Sequence, residues 1–274
     1  MSELLGARRL RELLDEHGVR PSKSLGQNFV VDPNTIRKVV AVSGVGPEDR
    51  VLEIGAGAGS LTLGLAAAAG HVVAVEFDRA LHPVLAITLD GVPNVEVVHA
   101  DATKLDWPAV DAGALVANLP YNIATPLVLD ALQGAPSLRT ITVMTQREAG
   151  ERLVAAPGSK AYGHVSVVAA FYATAVVAAP ISRKVFYPEP NVDSVLVRLV
   201  RRQEVPGADP ARVFALTRAA FSQRRKTLRS SLTGVVREPD RLPDALRAVG
   251  LAPTARPEEL GIEEWLALES QLFA

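Results

Sequence analysis

The 274-residue chain has no cysteine, two tryptophans and two methionines, and only 5% of it is aromatic. Without cysteine there is no disulfide framework, no thiolate zinc site and no cysteine nucleophile. No run of about 18 uncharged apolar residues occurs, so no helix is expected to span a membrane. The opening stretch MSELLGARRLRELLDEHG is amphipathic and charged, unlike the apolar core of a secretory signal. The expectation is a soluble, cytoplasmic protein. Net charge is nearly absent as well, −1 from 29 basic and 30 acidic side chains, which excludes a uniformly basic binder of polyanions.

What is present is unevenly distributed. Residues 1–40 carry +2, residues 41–136 carry −8, residues 137–232 carry +9 and residues 233–274 carry −4. A block at +9 is either an uneven but solvated surface or the footprint of a polyanion. The apolar content of 48% is ample for a sizeable core.

Leu4, Leu5, Leu10, Leu13 and Leu14 predict a helix within residues 3–17. Asp32 followed by Pro33 predicts a capped helix running to about Ser43. Short apolar strands then alternate with helices: strands at 51–54, 72–75, 95–98, 114–117 and 140–144, helices at 61–69, 80–89, 126–132 and 148–154. Two β-rich stretches follow, Val165 to Val177 and Ser194 to Val200, with the form of an antiparallel hairpin at one edge. This predicts an α/β, Rossmann-like fold with a mainly parallel sheet. Gln203 to Pro210 reads as a linker. Beyond it the pattern is helical, over 212–232, 240–249 and 262–273. The expected domains are 1–200 and a small helical domain at 201–274.

Four strand ends carry candidate chemistry. Glu53-Ile54-Gly55-Ala56-Gly57-Ala58-Gly59-Ser60 follows the first strand of the alternating series, where glycines let a ligand approach the backbone. A dinucleotide fingerprint requires glycine at position 60, which is Ser60. The spacing resembles motif I of class I S-adenosylmethionine-dependent methyltransferases instead. Glu76 ends the next strand and can accept ribose hydroxyls, with Asp78 as its competitor. Asp101, past the third strand, can accept an adenine amine. Asn118-Leu119-Pro120-Tyr121 follows the fourth and resembles the signature of enzymes that methylate exocyclic amines of nucleobases. The adenine N6 lone pair is delocalised and poorly nucleophilic. An Asn oxygen and a nearby carbonyl can accept its two protons and aim the lone pair. Proline fixes the loop, and Tyr121 offers a ring to an unstacked base. Before a later strand, the loop Phe186-Tyr187-Pro188-Glu189-Pro190 could supply a second aromatic face, from Phe186 or Tyr187.

Five motifs occur in order: SLGQNF from Ser24, EIGAGAG, NLPY, the F-x-P-x-P-x-V-D-S loop and FSQRRKTL from Phe221. Over about residues 20–270 the chain resembles the ribosomal small-subunit adenine dimethyltransferase family of KsgA/RsmA type. The helical FSQRRKTL segment favours this branch over the antibiotic-resistance (Erm) branch. The resemblance implies S-adenosylmethionine as cofactor. It assigns Gln27, Asn28 and the Val30 backbone to the methionine part, Gly55 and Gly57 to the loop beneath it, Glu76 to the ribose and Asp101 to the adenine. Asn118 to Tyr121 become the catalytic loop, with Asn118 also at the cofactor, and Phe186 becomes the aromatic that stacks on the target. It further implies, as substrate, two adjacent adenosines near the 3′ end of 16S rRNA in a small-subunit precursor, and a monomeric enzyme. Ala56, where many members have Pro, departs from the pattern.

Direct displacement at a sulfonium methyl needs no metal, and none of the five histidines is read as catalytic. Arg218, Arg224, Arg225, Lys226 and Arg229 lie on the expected 212–232 helix, three of them at roughly helical spacing, and Arg147 extends the cationic set toward rRNA phosphate. Three rivals remain. They are an NAD(P)-dependent oxidoreductase, which leaves NLPY unexplained, an assembly factor that only binds, and an Erm-type enzyme acting on large-subunit rRNA.

Overall fold

The apolar side chains of the first helix fall on one face, and that face sets the start of the core. In the computed structural model, which describes residues 4–204, 207–236 and 238–273, α1 (Ala7–Glu16) buries Leu10, Leu13 and Leu14. Val205 and Pro206 of the expected linker lie outside the described residues, as does Glu3, where the first expected helix begins. After β1 (Phe29–Val30), α2 (Pro33–Ser43) begins as the sequence predicts. The Asp32 carboxylate accepts the N–H groups of Asn34 and Thr35, with Pro33 in the first turn.

Strands and helices then alternate through β2 (Arg50–Ile54), α3 (Ser60–Ala66), β3 (His71–Glu76), α4 (His82–Thr88), β4 (Val95–His99), β5 (Ala114–Asn118), α5 (Ala124–Gly134), β6 (Thr140–Gln146) and α6 (Arg147–Val154). Next come α7 (His164–Tyr172), β7 (Ala173–Ile181), β8 (Phe186–Tyr187) and β9 (Ser194–Arg201). Seven strands form one sheet in the order β4-β3-β2-β5-β6-β9-β7. β2 pairs parallel with β3 and β5, β3 with β4, and β5 with β6, while β9 runs antiparallel to β6. This is the mainly parallel sheet with an antiparallel edge that the alternation predicts. Residues 51–54 and 114–117 are all buried, as central strands covered on both faces must be. Strand order reverses between β2 and β5, which opens a crevice at their carboxyl ends. Helix α3 lies close to α2: a Cβ on Gly64 would meet Ile36 Cγ2 at 2.5 Å. The small sheet of β1 and β8 is antiparallel, Phe29 opposite Tyr187 and Val30 opposite Phe186.

The chain divides into two units, residues 1–150 with 175–201, and residues 151–174 with 202–274. The second holds α7, α8 (Pro210–Ser222), α9 (Leu228–Leu232), α10 (Leu242–Ala248) and α11 (Ile262–Phe273). Three expectations are corrected here. Val165 to Val177 is not continuously β, because α7 runs to Tyr172 before β7 begins. The stretch is uniformly apolar, so no periodicity separates helix from strand. The helical unit also begins before residue 201. Phe171 meets Phe214 edge-on at 5.3 Å, and His164 Nδ1 lies 2.8 Å from Thr217 Oγ1, so α7 packs on α8. Nor is the 212–232 helix continuous: α8 ends at Ser222 and α9 starts at Leu228, with Thr227 as its cap.

One side chain secures the end of α5. Arg201 Nε donates to Leu138 O at 2.8 Å, and Nη2 donates to the carbonyls of Leu132 (2.9 Å), Ala135 (3.0 Å) and Ala131 (3.4 Å). A cation thus sits against the carbonyls at a helix C-terminus, where Ala131 and Ala135 also each accept a backbone N–H. Arg201→Met keeps most of the stem and removes the donors. Urea unfolding should show a loss of about 2 kcal/mol.

Candidate active site

Crevice, glycine loop and N-terminal connector enclose one pocket of about 300 Å³. Its lining draws on residues 24–29, the ends of β2, β3 and β5, and the loops that follow them. Gln27, Asn28, Gly55, Gly57, Glu76, Asp101 and Asn118 through Tyr121 all line it. The structure therefore brings together residues predicted separately from five parts of the sequence.

The glycine loop is shaped for close approach. Gly57 has φ +60°, and a Cβ there would sit 2.9 Å from Phe29 Cδ1. The Glu76 carboxylate accepts the Gly57 N–H at 2.8 Å and the Asp78 N–H at 2.7 Å. Burial raises its pKa, against the pull of those N–H groups. The Asp78 carboxylate is engaged elsewhere, with the Ala80 N–H at 3.0 Å and Gln27 Nε2 at 2.8 Å. Of the two acids, Glu76 is the one on the pocket wall. Asp101 stands at the rim, where the Thr103 hydroxyl and N–H hold its pKa down. Phe77, next to Glu76 in the chain, is 53% exposed and on the pocket lining. Sequence reasoning missed it, although an aromatic next to the strand-end acid was a usable signal for a nucleobase platform.

The N-terminal connector is tied down at two points. Gln27 spans from the Ser22 N–H (2.7 Å) to Asp78, on the side of Glu76. The Asn28 carbonyl accepts Asn118 Nδ2 at 2.8 Å. A carbonyl only accepts, so the amide nitrogen of Asn118 must face it, and Oδ1 is the remaining face of that amide. The Tyr121 hydroxyl lies 2.8 Å from Ser194 Oγ.

Other expected site residues lie elsewhere. Phe186 is 4% exposed and packed in the core, away from the pocket lining. Its pairing with Val30 turns it inward, so no open ring face is offered as expected from the F-x-P-x-P loop. Tyr187, the alternative, is half-buried beneath the Arg11 guanidinium, 4.7 Å from the ring centroid. Val30 is buried too and borders a small adjoining cavity instead of the main pocket. Arg147 is exposed beside Asp193, 3.9 Å away. In the helical unit Arg218, Arg225, Lys226 and Arg229 are exposed. Arg224 instead donates to the carbonyls of Lys160 (2.7 Å) and Ser159 (3.0 Å), which makes it a strut within the fold.

The small cavity is also bordered by Glu53, which is 1% exposed and whose Oε2 has no hydrogen-bond partner. A glycine cradle, a strand-end acid, an open aromatic and a rim carboxylate together suit a cationic amino-acid nucleoside, the chemistry of S-adenosylmethionine. Fold and site define a class I methyltransferase that uses this cofactor, with a loop built for an exocyclic nucleobase amine. The family model for ribosomal RNA adenine dimethylase matches residues 19–272. The chain belongs to that family and is an S-adenosylmethionine-dependent rRNA adenine dimethyltransferase. Ribosomal RNA small subunit methyltransferase A of Leifsonia xyli is 46% identical over 98% of each chain. That of Kineococcus radiotolerans is 49% identical, over 97% of this chain and 90% of its own. Among solved structures, a dimethyladenosine transferase from Plasmodium falciparum superposes with TM-score 0.79 at 24% identity, covering 86% of this chain and 94% of that one. The 23S rRNA methyltransferase ErmE gives TM-score 0.71 at 29% identity, covering 90% of this chain and 100% of that one.

Burial pushes the Glu53 carboxyl from 4.5 up to about 8. Across that window the folded chain keeps a proton that the unfolded chain has released, so stability falls as pH rises. In the cofactor-free protein, the melting-temperature advantage of Glu53→Gln over wild type should therefore grow from about pH 5 to pH 8, by at least about 2 °C. A difference that does not change with pH would rule Glu53 out as the group responsible.

Proposed function

We propose that this enzyme dimethylates N6 of two adjacent adenosines near the 3′ end of 16S rRNA, within a small-subunit precursor, as a cytoplasmic monomer. The orientation of the Asn118 amide supports this reading most: with Nδ2 held by the Asn28 carbonyl, Oδ1 is the acceptor left for N6–H. The relatives at 46% and 49% identity carry small-subunit names, whereas ErmE, at 29%, acts on 23S rRNA. Among the described residues no helix is long and apolar enough to cross a membrane.

S-adenosylmethionine, when bound, supplies a methyl already activated by its sulfonium. The protein has to orient the amine. Asn118 Oδ1 and the Leu119 carbonyl accept the two N6 protons, draw the nitrogen toward tetrahedral geometry, and turn its lone pair toward the pocket. Pro120 stiffens the loop, and Tyr121 presents its ring to the unstacked base. Once alkylated, N6 is acidic enough to release its proton through these oxygens to water, so no strong base is required. Arg147, Arg218, Arg225, Lys226 and Arg229 take rRNA phosphates, which makes affinity fall with salt. Arg224 serves this surface by holding the loop at Ser159 and Lys160.

Two measurements test the reading. Asn118→Ala should slow transfer by about 100-fold or more, with cofactor affinity largely retained. Full activity in that variant would sink the mechanism. With labelled cofactor, methyl should enter small-subunit particles that lack the modification. Transfer confined to naked large-subunit rRNA would establish the Erm-type activity instead.

A further inference from the structure

We propose that Ser194 is a positioning residue for methyl transfer: its hydroxyl pins the Tyr121 phenol and fixes the plane of the ring that meets the target base. The proposal rests on reading Asn118–Tyr121 as the catalytic loop.

Tyr121 stands three residues past the end of β5, half-buried on the pocket wall. A tyrosine ring there is joined to the backbone by two rotatable bonds, and without an anchor it samples more than one rotamer. The anchor is Ser194 Oγ, 2.8 Å from the phenol oxygen and 73 residues away in sequence. Ser194 is fully buried. It opens β9 opposite Gln146, the last residue of β6. Its neighbour Asp193 fixes the approach. The Asp193 carbonyl accepts the Arg147 N–H at 3.1 Å, and its carboxylate accepts the Arg183 N–H at 3.0 Å. The hydroxyl is thus held on a rigid strand end and reaches past β6 to the loop that follows β5.

Two consequences separate this from packing alone. With its hydroxyl engaged by Ser194, Tyr121 acts through its ring and not as a proton acceptor. Burial raises the phenol pKa, so the O–H stays protonated at neutral pH. The second transfer also depends on the ring more than the first. A monomethylated amine keeps one N–H for two acceptors, so ring contact has to supply the orientation that the lost hydrogen bond gave. A misplacement of about 1 Å can cost about 100-fold in rate.

The test is a double-mutant cycle of Ser194→Ala and Tyr121→Phe, with Asn118→Ala as reference, read by single-turnover methylation of small-subunit particles. Each single variant should slow transfer by about 10-fold and raise the fraction of monomethyladenosine. Melting temperature and cofactor affinity should stay near wild type, and the double variant should be no slower than either single one. Ser194→Ala with wild-type rate and product ratio, or effects that multiply in the double variant, would overturn the proposal. Tyr121→Phe breaks the same bond from the other side without touching buried Ser194. It decides the matter if Ser194→Ala does not fold, and a wild-type product ratio in it would overturn the proposal too. The underlying reading fails separately: full activity of Asn118→Ala removes the catalytic loop itself, whereas an inactive Asn118→Ala beside an unaffected Ser194→Ala removes only the role of Ser194.

Discussion

The site depends on a single carboxylate that serves two loops. One oxygen of Glu76 takes the N–H of Gly57, in the turn after β2, and the other takes the N–H of Asp78, in the turn after β3. The glycine loop is thereby held against the neighbouring strand end, and the pocket keeps its shape between them. Desolvation works against the charge and raises the pKa, and the converging N–H donors offset part of that. Ribose hydroxyls would bring more donors to the same oxygens, so cofactor binding and loop geometry favour one protonation state. Glu53 lacks such N–H donors. It is a strand-interior carboxyl with an oxygen that nothing satisfies, and its pKa rises to about 8. Burial raises both acids, which border adjoining cavities, but only Glu76 has backbone N–H groups pulling the other way.

Much of the fold was legible because central parallel strands are short, apolar and punctuated. The segments 51–54 and 114–117 read as strands and are strands, and the Asp32-Pro33 start of α2 follows its capping chemistry. The pocket residues were legible for a related reason. In such a sheet, ligand groups sit where strands end, so Glu76, Asp101 and Asn118 could be found by position. What could not be read depends on tertiary context. The run from Val165 is apolar on every side, and packing on Phe214 decides that it is helical. The break between Ser222 and Leu228 is invisible in a pattern whose apolar spacing continues across it. An aromatic in a proline-rich loop carries no mark of which way it faces. Phe186 turned inward because its strand pairs with β1.

The charge pattern changes meaning once the side chains are placed. The strongly cationic block from residue 137 to 232 suggested a broad polyanion surface. Part of it is spent inside the fold: Arg201 and Arg224 clamp backbone carbonyls, and Arg202 donates to Ala170 O at 2.9 Å. Arg183 pairs with Glu189 at 2.9 Å, and Arg212 with Asp209 at 3.3 Å. The exposed set is smaller, centred on Arg218, Arg225, Lys226 and Arg229. Formal charge along a sequence therefore overstates the cationic surface where arginines double as helix-end and loop clamps.

The helical unit is assembled from two separate stretches of chain, with 151–174 contributed from between two strands of the sheet unit. The polypeptide consequently passes from one unit to the other three times. A helical tail confined to one end of the chain could be removed by a single cut, but this unit could not. A cut after residue 201 would strand α7 and uncover Phe171, and a graft of the last 73 residues onto another enzyme would lack the helix that α8 packs against. Separating the two units therefore takes cuts at three places in the chain.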